Sequence, residues 1–116
     1  MKSYWIPLPL TLSLVSCHPS KPLSTNATNC VAVVQNYLGI ADPIAVTNSV
    51  DQPSLQMVDI KYQSQNDENI PISGNATCLF AAPDVAKDRL LEATINNQTL
   101  TKEDIAALNQ QVKFSQ

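Results

Sequence analysis

Histidine and glycine are nearly absent from this chain of 116 residues, which contains one His and two Gly. The single histidine, His18, lies in a polar stretch with no apolar period, so we expect it to be a solvated linker residue. Without a further histidine, Ser-His and Cys-His catalysis is excluded and a histidine-based zinc site lacks its ligands. Two glycines cannot form a phosphate-cradling loop, and Gly74, inside a predicted strand, indicates a bulge or a close packing contact.

Basic and aromatic residues are also few. Seven Lys and Arg stand against ten Asp and Glu, which gives a net charge of −3. Because non-specific affinity for nucleic acid comes from clustered basic side chains, the sequence predicts no nucleic-acid partner. Aromatic residues make up 5% of the chain, and no aromatic platform for binding sugars is evident.

No apolar run in the sequence is long enough to cross a membrane. The run Ile6–Val15 is shorter than the roughly 20 residues that a transmembrane helix needs, and two prolines interrupt it. Lys2 precedes the run and the small residue Ser16 ends it. A basic start, a short apolar stretch and a small residue at the end predict a cleaved signal peptide over residues 1–16.

The segment ends with Leu14-Val15-Ser16-Cys17. These four residues resemble the lipobox of bacterial lipoproteins, in which Leu, a small or β-branched residue and a Ser, Ala or Gly precede an invariant Cys. The resemblance implies that signal peptidase II cuts before Cys17 and that a diacylglycerol is attached to its thiol. Each buried CH₂ contributes about 0.8 kcal/mol, so two or three acyl chains hold a protein firmly on the bilayer. The lipid bilayer is therefore an expected partner.

The residues after Cys17 indicate which membrane holds the domain and how far the domain can extend from it. Some lipoprotein sorting rules read an Asp after the lipidated Cys as retention in the inner membrane, and His18 stands there instead. The resemblance thus favours the periplasmic face of the outer membrane in the cell envelope. Residues 17–28 are predicted to be the lipidated Cys and a flexible tether, because they are polar, contain two prolines and show no period. Extended, residues 18–28 reach roughly 36 Å.

Two helices are predicted in the single small domain that we assign to residues 29–116. Apolar residues recur at helical spacing over Cys30–Leu38, with Asn29 as the expected N-cap and Gly39 at the end. Near the C-terminus, Thr101 begins the pattern of a capping box, in which two residues bond each other reciprocally at a helix start. The helix after it is expected to turn three apolar residues to the core: Ile105, Leu108 and Val112.

Alternation of apolar and polar residues predicts three strands. Val58–Gln63 and Ile70–Phe80 alternate on either side of the polar loop Ser64–Asn69 and predict a hairpin. Residues 40–55 predict a long irregular connection that contains a short strand near Ala45–Thr47. The third strand is expected to carry its apolar side chains at Leu91, Ala93 and Ile95. The fold class is therefore α+β, with an antiparallel sheet of about three strands and an N-terminal and a C-terminal helix packed on it.

The cysteine count is consistent with export. Assigning Cys17 of the three cysteines to lipid leaves Cys30 and Cys78, and an oxidising compartment permits a disulfide between them. Both lie on the apolar faces of their predicted elements. On loop-closure grounds the bond would stabilise the domain by about 4 kcal/mol. The alternative is two buried free thiols, and we predict the disulfide.

Paired carboxylates are the remaining route to catalysis, as in glycosidases. The pairs Asp67-Glu68 and Glu103-Asp104 have simpler explanations, namely solvation of a loop and favourable charge at a helix N-terminus. The first pair lacks the spaced oxygens of a calcium site. The sequence therefore predicts no catalytic, metal-binding or cofactor-binding residue, and a protein that is not an enzyme.

A predicted lipid anchor, a flexible tether and the lack of a recognisable set of catalytic residues together predict a non-enzymatic envelope lipoprotein. Its domain is expected to contact another envelope protein as an accessory or assembly module. The alternative is a periplasmic lipoprotein that binds a ligand or inhibits an enzyme. That alternative predicts a concave apolar surface beside the sheet, or an exposed functional loop such as Ser64–Asn69.

Overall fold

The computed structural model describes residues 22–66, 68–82 and 88–115. The predicted signal peptide, Cys17 and Asp67 lie outside the described residues. Within them the helices and strands, in chain order, are α1 Thr25–Leu38, β1 Ala45–Gln52, β2 Met57–Gln65, β3 Pro71–Phe80, β4 Leu90–Ile95, β5 Gln98–Thr99 and α2 Lys102–Gln111. A short 3₁₀ turn, Pro53–Leu55, joins β1 to β2.

All five strands form one antiparallel sheet in the order β1-β2-β3-β4-β5. The α+β class is confirmed, but the sheet has five strands and not about three. β5 was not predicted, and the short strand expected near Ala45–Thr47 is the start of the longer β1. β1 lies within the predicted irregular connection. Its residues are mostly polar and exposed, so no apolar alternation marks them, and pairing with β2 supports the strand. β5 has two residues, too few to show a period.

A β-bulge shifts the side chains of β4. Leu79 pairs with Glu92 and Phe80 pairs with Leu90, which leaves Leu91 as an extra residue between them. Leu90 is buried and Leu91 is exposed. The prediction that Leu91 faces the core is therefore wrong. Both residues are leucine, so the sequence pattern does not show which of them the bulge turns outward.

Helix α1 begins earlier than the sequence predicted. Ser24 is its N-cap, with the side-chain hydroxyl accepting a hydrogen bond from the Ala27 amide at 3.0 Å. Four residues that we assigned to the tether, 25–28, therefore belong to the helix, and the domain starts before residue 29. The predicted end is confirmed: Gly39 adopts a left-handed conformation at φ 68° and its N–H bonds to the Gln35 carbonyl.

The start of α2 agrees with the predicted capping box. The Asp104 amide donates to the Thr101 hydroxyl at 3.1 Å, and the Thr101 amide donates to the Asp104 carboxylate at 3.3 Å. Leu108 and Val112 are buried, and Ile105 packs against the same core. The second helix therefore places its apolar residues as expected.

The core lies between the two helices and one face of the sheet. Side chains that face each other on neighbouring strands form rows across this face, such as Val58, Cys78 and Ala93. Helix α1 covers the rows with Ala27, Val33 and Val34, all of which are fully buried. Larger side chains, among them Ile60, Phe80 and Leu90, fill the space between these rows and the helices.

A disulfide joins Cys30 of α1 to Cys78 of β3, as predicted. Both residues are fully buried, and their Cα atoms lie 5.7 Å apart. The bond links positions separated by 48 residues and fixes the first helix to the middle strand of the sheet. A structural disulfide of this kind fits an extracytoplasmic location.

Gly74 is required by a close contact. It pairs with Tyr62 across β2 and β3, and a Cβ atom added to it would collide with the Tyr62 ring and lie 2.6 Å from the Asn96 side-chain oxygen. The Asn96 amide group donates to the Tyr62 hydroxyl at 3.1 Å. The packing contact proposed from the sequence is therefore present, and glycine lets the aromatic ring lie flat over the strand.

A second link holds the C-terminal segment against α1. Asn29, inside the helix rather than at its start, accepts from the Ser115 amide at 2.8 Å and donates to the Ser115 carbonyl at 3.1 Å. Arg89 is buried and donates to the same carbonyl at 3.2 Å. Phe114 packs edge-on against Phe80, with ring centroids 6.0 Å apart. These contacts bring residue 115 beside the start of the domain.

Removing the disulfide tests how far the small core depends on it. In the double variant Cys30→Ala/Cys78→Ala neither half of the bond is left as a free thiol, and we expect the free energy of unfolding to fall by about 4 kcal/mol, since the unfolded chain loses its loop constraint. Urea denaturation measures this change. Ser73→Ala, at an exposed position of β3, is the control and should stay within about 0.5 kcal/mol. A loss below about 1 kcal/mol in the double variant would contradict the role assigned to the bond.

Candidate functional site

We name the two ends of the domain by the segments that lie at them, the tether and the β2–β3 hairpin. At the tether pole, Pro22–Ser24 lie beside β1 as the chain enters α1. The 3₁₀ turn and the end of β3 lie at the same pole, because the Phe80 amide bonds to the Gln56 carbonyl at 2.8 Å and Phe80 contacts the C-terminal segment. At the hairpin pole, the end of α1 meets the β2–β3 hairpin.

A groove opens at the hairpin pole, and we call it the hairpin groove. It has a volume of about 750 Å³ and is open to solvent. One wall is the end of α1 and the connection to β1, residues 38–43 and Ala45. The other wall is the hairpin, residues 63–66 with Asn69 and Pro71. The walls come from segments far apart in sequence, and the pairing of Ala45 with Gln63 brings them together.

Hydrogen bonds stiffen the helical wall. The Gln35 side chain donates to the Asp42 carbonyl at 2.8 Å, and the Ile40 amide donates to the Gln35 carbonyl at 2.9 Å. Both bonds tie the connection after Gly39 back onto the last turn of α1. This wall therefore has a fixed shape in spite of its lack of regular structure.

One side chain organises the tip of the hairpin. The Asn66 side-chain oxygen accepts from the amides of Glu68 at 2.8 Å and Ile70 at 3.0 Å. Its backbone closes the turn as well, since its amide donates to the Ile70 carbonyl and its carbonyl accepts from the Asn69 amide. Asn69 has a φ of 63°, a conformation that Asn tolerates better than most residues. The tip is thus preorganised by its own residues.

The chemistry of the groove suits recognition and offers little for catalysis. Its hairpin wall carries neutral amides and a hydroxyl, and Asp42 supplies the one carboxylate among the lining residues that the structure describes. Apolar side chains lie exposed at the same pole: Leu38 on the helical wall, Ile70 at 52% and Ile72 at 45% exposure beside the hairpin. Exposed aliphatic residues bordered by neutral hydrogen-bonding groups are typical of a protein-binding surface.

The residues predicted from the sequence fall in different places. The Ser64–Asn69 loop forms part of the groove, apart from Asp67, which lies outside the described residues. Cys30 and Cys78 lie in the core and take no part in the groove. Glu103 and Asp104 lie in the first turn of α2, and the second of them bonds the helix cap. The predicted lipidation residue, Cys17, is outside the described residues.

Sequence reasoning found the hairpin loop but missed the groove beside it. The helical wall, residues 38–43, was assigned to an irregular connection, and no local pattern shows that it meets the hairpin. Across the described ranges, no group of three or more His, Cys, Asp or Glu side chains is placed to hold a metal ion. No helix in those same ranges is long and apolar enough to cross a membrane.

Comparison with protein-family models, with curated proteins and with solved structures finds no match to this chain. The interpretation of the hairpin groove therefore rests on its geometry and its chemistry.

Asn66 provides a test of the preorganised tip. In Asn66→Ala the amides of Glu68 and Ile70 lose their acceptor, and we expect their hydrogen exchange to quicken while the free energy of unfolding falls by no more than about 1.5 kcal/mol. Amide exchange followed by NMR measures the local effect, and urea denaturation the global one. Gln65→Ala, a neighbouring exposed position, is the control. Equal exchange rates in the wild type and Asn66→Ala would show that the side chain does not order the tip.

Proposed function

We propose that this protein is a non-enzymatic lipoprotein of the bacterial envelope, anchored through acylated Cys17, that presents the hairpin groove to another envelope protein. The observation that carries the proposal is the separation of the two poles. The chain leads towards Cys17 from the tether pole, whereas the groove opens at the other end of α1. That helix has 14 residues and is about 21 Å long. An anchor at one end leaves the groove free at the other.

The form of the groove favours a protein partner over a small molecule. A small-molecule pocket encloses most of its ligand and orients it with a few placed polar groups. The hairpin groove is open, and neighbouring residues such as Ile70 and Ile72 extend its apolar area beyond the walls. A broad surface of this kind can be covered by another folded chain. The disulfide supports an extracytoplasmic setting for the encounter.

A second candidate function is inhibition of an enzyme. The observation that favours it is the ordered hairpin tip, where Asn66 fixes the backbone through two amide hydrogen bonds. A loop held in one conformation loses little entropy when it enters a cleft, which is how rigid inhibitory loops gain affinity. In this case the partner is an enzyme and its activity falls on binding.

The anchor is tested by the intact mass of the native protein recovered from membranes. We expect the mass of a chain that begins at Cys17 and carries acyl groups, because the lipobox directs both processing and lipidation. Reduction of the Cys30–Cys78 disulfide should add the mass of two hydrogen atoms. Cys17→Ala is the control and should abolish acylation. An unacylated mass for the native protein, or one that begins at Met1, would refute the anchor.

The partner surface is tested with charge substitutions inside and outside the hairpin pole. Ile70→Asp places a carboxylate beside the groove, whereas Ala107→Asp, the control, places one at an exposed position of α2 that does not line the groove. Because burying an unpaired charge in an interface is costly, we expect the first variant to lose a partner that co-purifies after mild detergent extraction and the second to retain it. Cross-linking with quantitative mass spectrometry measures the recovery.

Equal recovery of the partner with both variants would exclude the hairpin pole as the binding surface. If the partner is an enzyme and its activity rises with Asn66→Ala, inhibition is the function, and the accessory role is excluded. Each variant is compared at equal expression and with its disulfide intact, so that loss of folding is not mistaken for loss of binding.

A further inference from the structure

The tether pole carries exposed aliphatic side chains that the fold leaves uncovered. Leu23, Val50, Leu55 and Leu91 are exposed by 40%, 48%, 56% and 48%, respectively. We call this set the apolar rim. We propose that the apolar rim rests on the lipid bilayer, so that the domain lies against the membrane and does not float above it. The inference depends on the anchor at Cys17 in the proposed function and adds an orientation to it.

The members of the rim lie along one end of the sheet. Leu55 is in the 3₁₀ turn between β1 and β2, and Val50 lies near the end of β1 that enters this turn. Leu91 is the extra residue of the β4 bulge, opposite the last residue of β3. Neighbouring strands are spaced by about 4.8 Å, so the rim extends over about 14 Å from β1 to β4. Leu23 adds to it where the chain enters α1.

The length of chain before the domain decides what can cover this rim. Leu23 lies two residues before the start of α1 at Thr25. Five residues separate it from Cys17. Even when fully extended, this segment keeps Leu23 within roughly 20 Å of the acylated residue. The tether pole is therefore confined close to the headgroups, and the bilayer is the apolar medium always within reach of the rim.

The charge of the tether pole indicates that the contact is apolar. Asp51 on β1 and Glu92 on β4 are exposed next to members of the rim. Surface attraction to anionic lipid requires clustered Lys and Arg. Among the described residues of this pole, Lys113 is exposed beside Phe114, whereas Arg89 is buried, so no basic cluster faces outward there. We therefore expect the rim to contact an uncharged phosphatidylcholine surface at least as well as an anionic one.

Tryptophan fluorescence can locate the rim, because the one tryptophan of the sequence, Trp5, lies in the predicted signal peptide. The experiment uses the mature, acylated protein, reconstituted into phosphatidylcholine vesicles whose acyl chains carry bromine as a quencher. Leu55→Trp reports on the rim. Ile70→Trp, at a similarly exposed position of the hairpin pole, is the matched control and shares any intrinsic affinity of tryptophan for lipid. An intact disulfide, checked by mass, shows that each variant is folded.

We expect the Leu55→Trp emission to shift to shorter wavelength and to lose most of its intensity to the brominated lipid, while the Ile70→Trp emission stays unquenched. Anionic lipid should not increase the quenching. No quenching of either tryptophan overturns the inference, because the domain then stands clear of the bilayer. A blue shift at Leu55→Trp without quenching overturns it as well, since protein, such as a second copy of this chain, then covers the rim.

Vesicle flotation separates this inference from the function on which it rests. If the protein floats with the vesicles but the Leu55→Trp emission is not quenched, the lipid anchor is present and the apolar rim does not contact the bilayer. That result refutes the rim contact and supports the anchor. Protein that carries no acyl group and does not float refutes the anchor, and the rim contact fails with it.

Discussion

The bond between Cys30 and Cys78 is the constraint on which the rest of the domain depends. Within the described residues, two helices cover one face of the sheet, and the core between them belongs to a small domain. A domain of this size has little stability to spare. The disulfide fixes α1 across the middle of the sheet, and the position of α1 in turn places the end of the helix against the hairpin.

Fixing α1 along the sheet also separates the two surfaces to which we assign functions. The helix begins beside the segment that leads towards the proposed anchor and ends at the hairpin groove. The surface with aliphatic side chains around Leu55 and the surface with neutral amides around Asn66 therefore lie at opposite ends of the domain. The disulfide in the core helps to hold these two ends in place.

Local signals predicted the elements that depend on neighbouring residues. Gly39 ended the first helix and Thr101 began the second, because caps act within a turn of the chain. The disulfide followed from a cysteine count and two apolar faces. Elements that depend on distant pairing were predicted in part or not at all. β1 is polar and needs β2, so only a short strand at its start was expected, and Leu91 is turned outward by a bulge that two adjacent leucines cannot reveal. The hairpin loop was identified, but the groove beside it exists only once the strands have paired.

The edge strand β1 affects whether neighbouring copies of the domain can pair when they are concentrated on one surface. An unpaired strand edge is a template on which identical chains can stack into a continuous sheet, and anchoring at a surface raises their local concentration. In β1 the register shifts between Val46 and Asn48, Asp51 adds a charge near its end, and Pro53 follows directly after it. The shift interrupts the ladder that a second chain would need, and the charge and the proline shorten it further. If the proposed anchor crowds copies of the domain on one surface, β1 offers a neighbouring copy little unbroken edge with which to pair.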